Sequence, residues 1–111
     1  GGSDTRQRVR PVAAGLALHA IALAQIGRAA EAQQVIKPAL EFQRSLAAKA
    51  HDNQTVKLEF IEALYASALA NPAQSAALLD EAQSVFNTLS PEMRALRSAA
   101  YLRARIAAAR R

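Results

Sequence analysis

The chain has 111 residues and a net charge of +5, and this length suits one domain with a single hydrophobic core. The sequence contains no cysteine, which excludes disulfides and thiolate metal sites and is compatible with the reducing cytoplasm, where we expect the protein. Alanine occurs 28 times and leucine 13 times, whereas there are only three phenylalanines and two tyrosines. Because alanine and leucine are strong helix formers, the composition predicts an all-α fold.

The amino terminus reads Gly-Gly-Ser-Asp and has no initiator methionine. We interpret residues 1–4 as a tag or processing remnant and residues 5–111 as one helical domain, a fragment of a larger protein.

The first predicted helix extends from about Thr5 to Ile26 and ends at Gly27. Three arginines before an apolar segment also resemble a signal peptide, and the uncharged segment 11–27 is near the short limit for a membrane span. The apolar residues keep a helical period, however, and a matching second helix follows, so we expect no membrane span. The predicted packing residues of the first helix are Val9, Val12, Leu16, Ala20 and Leu23.

The second predicted helix runs from about Ala29 to Ala50 and includes Pro38, which lacks a backbone N–H and predicts a kink. The third predicted helix spans about Gln54 to Ala70, with Asp52 or Asn53 as its N-cap.

A polar residue followed by proline marks the start of the fourth and fifth predicted helices. Asn71 is placed as an N-cap before Pro72, and Gln74 is placed to complete a capping box. Ser90 repeats this signal and predicts a single fifth helix from about Pro91 to Arg110. Five helices joined by short turns predict antiparallel packing between neighbours.

Residues 16–41 place small and apolar side chains at regular spacings around a glycine turn. In this order they resemble one tetratricopeptide repeat, a family in which small residues let two helices approach closely. The sequence departs from the family at His19 and Pro38, and the next turn follows Gly27 by about 44 residues instead of the family's 34. The residues that carry the resemblance are Leu16, Ala20, Leu23, Gly27, Glu31, Ala32, Ile36, Ala39, Leu40 and Glu41.

The resemblance implies an antiparallel α-α hairpin stack made of one regular hairpin, a longer second hairpin and a C-terminal capping helix. It also implies protein or peptide binding, often as a module of a larger bacterial protein. We therefore expect a non-enzymatic, TPR-like interaction scaffold that needs no cofactor.

No residues in the sequence have the spacing of a catalytic, metal-binding or phosphate-binding motif. His19 falls among helix-packing residues, and His51 falls beside a helix cap. Glu59 and Glu62, one turn apart, suit a solvated helix face. The sequence thus predicts neither an enzyme nor a metal site.

A second line of apolar residues runs along the first helix, away from its predicted packing residues. In the tetratricopeptide arrangement this side of the helix lines the concave surface of the stack. A helix that is apolar on both sides is normally covered on both sides. The line therefore predicts a polypeptide partner: an upstream part of the parent protein, a second copy of the chain, or a peptide. This apolar strip consists of Ala14, Ala17, Leu18, Ile21 and Ala24.

Positive charge is concentrated in residues 94–111, which contain six arginines and no acidic residue. On a continuous helix, three of these arginines and a tyrosine would share one side, apart from a core side that includes Ala95, Ala99, Leu102 and Ile106. We interpret this side as a solvated face beside a favourable cationic helix end, with contacts to acidic protein, nucleic acid or anionic membrane as alternatives. This basic stripe consists of Arg94, Arg97, Tyr101 and Arg105.

Overall fold

Six α-helices make up most of the computed structural model, which describes residues 2–111 and the side chains from Pro11 onward. Helices account for 84% of the chain, and the described residues form no strand, which confirms the all-α prediction. The elements are α1 (Gly2–Gln25), α2 (Ala29–Lys49), α3 (Gln54–Ala70), a 3₁₀ turn (Pro72–Gln74), α4 (Ser75–Phe86), α5 (Pro91–Arg94) and α6 (Arg97–Ala109).

The predicted helix boundaries at Gly27 and Asn53 have the local geometry that the sequence indicates. Gly27 adopts a positive φ of 85°, and the backbone N–H of Arg28 donates to the Leu23 carbonyl at 2.8 Å, as in a Schellman motif. The Asn53 side chain accepts a hydrogen bond from the Val56 N–H at 3.1 Å and caps α3. These local hydrogen bonds fix the turn of the first hairpin and the start of α3.

The predicted starts of the last two helices need correction. The Asn71 side chain caps no helix; it donates to the Ser67 carbonyl, and a 3₁₀ turn precedes α4. Ser90 does cap α5 by accepting from the Met93 N–H, but α5 is only four residues long. The single fifth helix that we predicted is divided, because Leu96 has an extended backbone (ψ 147°) before α6 begins. The break separates the short α5 from α6, which then packs on α3 and α4.

Helix α3 lies at the centre of the fold. It packs against α1, α2, α4 and α6, and ten of its 17 residues are buried. Because a helix surrounded on most sides has few positions left for polar groups, its sequence is apolar nearly all round. Helix α2 continues on both sides of Pro38, whose ring is exposed.

Two hydrophobic clusters meet along α3. The first contains large side chains from α3, α4 and α6, including Phe60, Leu64, Phe86 and Ile106. The second lies between α1, α2 and α3 and is built mostly from alanine. Small side chains at these positions allow the helix axes to approach closely. The alanines of the second cluster are Ala13, Ala17, Ala20, Ala32, Ala39, Ala63, Ala66 and Ala70.

Candidate functional site

The structure divides the predicted apolar strip between the core and the surface. Ala17 is 1% exposed, and Ile21 packs against both hydrophobic clusters. Leu18, in contrast, is 59% exposed. The strip is therefore not one continuous exposed surface, since α3 covers one of its edges. Helix α1 packs against α3 as well as against α2.

The buried face of α1 also differs in part from the predicted one. Val12, expected in the core, is 60% exposed, and Val9 lies outside the residues whose side chains are described. The most deeply buried line on α1 instead runs through Ala13, Ala17 and Ala20. This line lies between the two predicted stripes, where α2 and α3 approach from either side.

One side of α3 remains open between its packing partners. Leu58, Glu62 and Leu69 follow each other at helical spacing and are each only partly buried. On one side of this line, Ala66 packs in the cluster that α3 shares with α1. On the other side, Tyr65 packs in the cluster that α3 shares with α6. The open side of α3 thus runs between α1 and α6.

Tyr65 connects this open side to the basic stripe. Tyr65 is 4% exposed, and the Arg105 side chain lies near enough to its hydroxyl to lower its pKa. Burial raises the pKa of Tyr65, and the nearby Arg105 charge only partly opposes this effect. Arg105 also stacks on Tyr101, with its guanidinium carbon 4.9 Å from the ring centroid. Arg105 is exposed but lies over the Tyr101 ring and near the Tyr65 hydroxyl.

Glu62 places an acid on the same open side. Burial raises the pKa of its carboxyl group, and the neighbouring charge of Glu59 raises it further. The surface consequently has apolar side chains at its α1 edge, a partly desolvated acid in the middle, and a positioned arginine at its α6 edge. We call this region the α1–α3–α6 surface; it comprises Leu18, Leu58, Glu62, Leu69, Tyr101 and Arg105.

The predicted basic stripe is not continuous. Arg94 belongs to α5, and the break at Leu96 separates it from Arg97 on α6. The same break leaves Ala95, predicted as core, exposed to solvent, whereas Ala99, Leu102 and Ile106 are buried as predicted. Further along the chain, Arg110 pairs with Asp80 of α4 at 3.0 Å. Intramolecular contacts therefore engage part of the arginine-rich end.

Sequence reasoning missed a cleft of about 630 Å³ between α2 and α4. Phe60 of α3 and Val85 of α4 contribute apolar side chains to its lining. Arg44 spans it, with its guanidinium 5.5 Å from the Phe60 ring centroid and 3.0 Å from the Glu81 carboxylate. No sequence pattern predicts this cleft, because its width depends on the distance between α2 and α4 where both pack against α3.

The remaining candidate residues do not assemble into a reactive group. His19 is exposed on α1, and His51 lies 3.6 Å from the carboxylate of its neighbour Asp52. Within the described part of the chain, no three histidine or acidic side chains come together as metal ligands would. No helix among the described residues has both the length and the apolar character needed to cross a bilayer. Comparisons with family models, with curated proteins and with solved structures find no match to this chain.

Proposed function

We propose that this chain is a non-enzymatic, tetratricopeptide-like scaffold that binds another polypeptide at the α1–α3–α6 surface. The arrangement of the helices supports the first part of the proposal. α1 packs on α2, α3 packs on α4, and the two pairs meet mainly through contacts of α3 with α1 and α2. This is the pattern expected for two stacked α-α hairpins, with α6 covering the second of them.

The observation that carries the binding proposal is the continuity between the two predicted strips. Ile21 of the apolar strip and Arg105 of the basic stripe both contact the cluster around Tyr65 on α3. The intervening surface combines exposed apolar groups with charges of both signs held in fixed positions. A peptide could bury its apolar side chains beside Leu18 and pair its polar groups with Glu62 and Arg105.

Selection from a displayed library of random peptides tests the proposal. Selected peptides should bind the whole chain with dissociation constants below about 1 mM, and should shift amide NMR signals around Leu18, Glu62 and Arg105. The matched variants are Leu18→Ala and Leu96→Ala, because both leucines are exposed, at 59% and 48%, but Leu96 lies outside this surface. Leu18→Ala should weaken binding several-fold, and Leu96→Ala should not. Failure to select any binder, or signal shifts confined to other surfaces, would refute the proposal.

The salt dependence of binding distinguishes the basic alternative from the peptide proposal. A nucleic acid or anionic membrane would contact exposed arginines such as Arg97 and Arg103, and its affinity would fall steeply with added salt. Peptide binding at a mainly apolar surface should depend weakly on salt. Tight, steeply salt-dependent binding of heparin that is lost in Arg97→Gln/Arg103→Gln would replace the peptide proposal with the alternative.

A further inference from the structure

The solvent-facing side of α1 is an uncharged, largely apolar surface distinct from the α1–α3–α6 surface. Val12 is 60% exposed and Ile26, directly after the helix, is 67% exposed. Gly15, His19 and Ala22 lie between them and are also exposed. No lysine, arginine, aspartate or glutamate occurs between Pro11 and Gly27, although the whole chain has a net charge of +5. We call these five residues, from Val12 to Ile26, the outer face of α1.

The spacing on the outer face is that of a helix-pairing seam. The five residues follow each other at intervals of three and four, the spacing of the contact positions of a coiled coil. The two smallest, Gly15 and Ala22, are seven residues apart, and a Cβ atom added at Gly15 would meet nothing within 4 Å. Small side chains at alternate contact positions allow a second helix to approach closely, while larger residues at each end pack around it.

We infer that two copies of this chain associate through the outer face of α1, with the two helices antiparallel. The face is self-complementary about His19. In an antiparallel pair, Val12 lies opposite Ile26 of the second copy, and Gly15 lies opposite Ala22. Each large side chain thus meets a large one near the ends, small residues meet on either side of the axis, and the two His19 side chains meet at the axis, as a two-fold interface requires.

Charge selects the antiparallel direction. Arg6, Arg8 and Arg10 precede the outer face along the same helix. In a parallel pair the two arginine segments would lie side by side and repel each other. In the antiparallel pair they are separated by about 33 Å along the helices, well beyond the screening length of about 8–10 Å at physiological salt.

The small size of the outer face favours a reversible association. A pair of helices in contact over residues 11–26 extends for about 24 Å and buries on the order of 1,000 Å² in total, near the lower limit for a specific interface. We therefore expect a reversible dimer with a dissociation constant on the order of 10 µM rather than an obligate one. This inference does not depend on the proposed peptide binding, because it uses none of the residues of the α1–α3–α6 surface.

Analytical ultracentrifugation of the complete chain tests the inference across concentrations from about 1 to 500 µM. The wild type should change from monomer to dimer within this range. His19→Glu places two carboxylates at the two-fold axis and should weaken the dimer at least tenfold. Ser45→Glu introduces the same charge at an exposed position of α2 and should leave the association unchanged. A wild type that stays monomeric throughout, or equal association of both variants, would overturn the inference.

The direction of the helices is tested separately with disulfides, because the natural chain has no cysteine. Val12→Cys and Ile26→Cys are made as two single variants, and each is oxidised alone and in an equimolar mixture. Antiparallel pairing should give cross-linked dimers mainly in the mixture, since positions 12 and 26 then face each other. Cross-linking of each variant mainly with itself would overturn the antiparallel arrangement. Circular dichroism of every variant should remain that of the wild type, because all substituted residues are exposed.

Discussion

Shortening Ile106 to alanine should remove a large part of the stability of the whole domain. Ile106 is fully buried and belongs to the large-side-chain cluster in which α6 packs against α3 and α4. Isoleucine-to-alanine changes in cores cost about 2–5 kcal/mol, and the cost is highest where neighbours cannot fill the space. Since Ile106 shares this cluster with large buried side chains such as Phe86 and Leu64, we expect a loss of about 3–4 kcal/mol. Domains of this size have total stabilities of about 5–15 kcal/mol.

Urea unfolding followed by circular dichroism measures this loss. Ile106→Ala should lower the midpoint with an unchanged slope, because α6 unfolds together with the rest of the domain. Ile106→Val should cost about 0.5–1.5 kcal/mol, and Arg97→Gln, an exposed change on the same helix, should stay within about 0.5 kcal/mol.

Two results would show that α6 does not close the core. One is a cost below about 1 kcal/mol for Ile106→Ala, since a buried isoleucine in a tightly packed cluster cannot be removed so cheaply. The other is a separate early transition that leaves the remaining helices folded. In that case α6 would be an appendage of the domain rather than part of its cooperative unit.

Three further substitutions give distinct outcomes in the same unfolding assay. Gln43→Met should stabilise the domain by about 1–2 kcal/mol, because the buried Gln43 amide has no hydrogen-bond partner among the described residues; a loss of stability would contradict this. Glu62→Gln should stabilise the domain at pH 7 but not below about pH 4. Because the pKa of Glu62 is raised, the folded state binds the Glu62 proton more tightly than the unfolded state does. The stability of the wild type therefore falls as pH rises from 4.5 through the raised pKa. Ala66→Leu should cost about 1–3 kcal/mol by forcing α1 and α3 apart, while Ala100→Leu on an exposed position should cost little.

The helix boundaries that the sequence predicted correctly are those set by residues within one turn of the boundary. Gly27 has the positive φ that ends a helix, and Asn53 and Ser90 cap helices with their own side chains. The break at Leu96 was not predictable in this way. Nothing in the local sequence stops the helix there, and the break serves packing of α6 on helices that are distant in sequence.

The candidate surfaces were harder to predict because a helix can be flanked by two neighbours at once. Sequence patterns assign large apolar residues to the core, which placed Val12 inside and Ala17 in a binding strip. The structure reverses both, since α2 and α3 approach α1 most closely along its alanines. The approach of Arg105 to Tyr65 likewise depends on the tertiary packing of α6 on α3, which no spacing in the sequence specifies.

The alanine-rich cluster between α1, α2 and α3 gives the two halves of the molecule different mechanical properties. An alanine side chain has no rotamers to lose on folding, so ordering this cluster costs almost no side-chain entropy. Its two large buried members are Leu23 and Ile36, whereas the cluster around Phe60 and Phe86 is built mostly from large side chains. We therefore expect that sliding α1 along α3 would need less side-chain repacking than moving α4 or α6. We expect shear motions to be concentrated in the first hairpin, where they would change the width of the α1–α3–α6 surface.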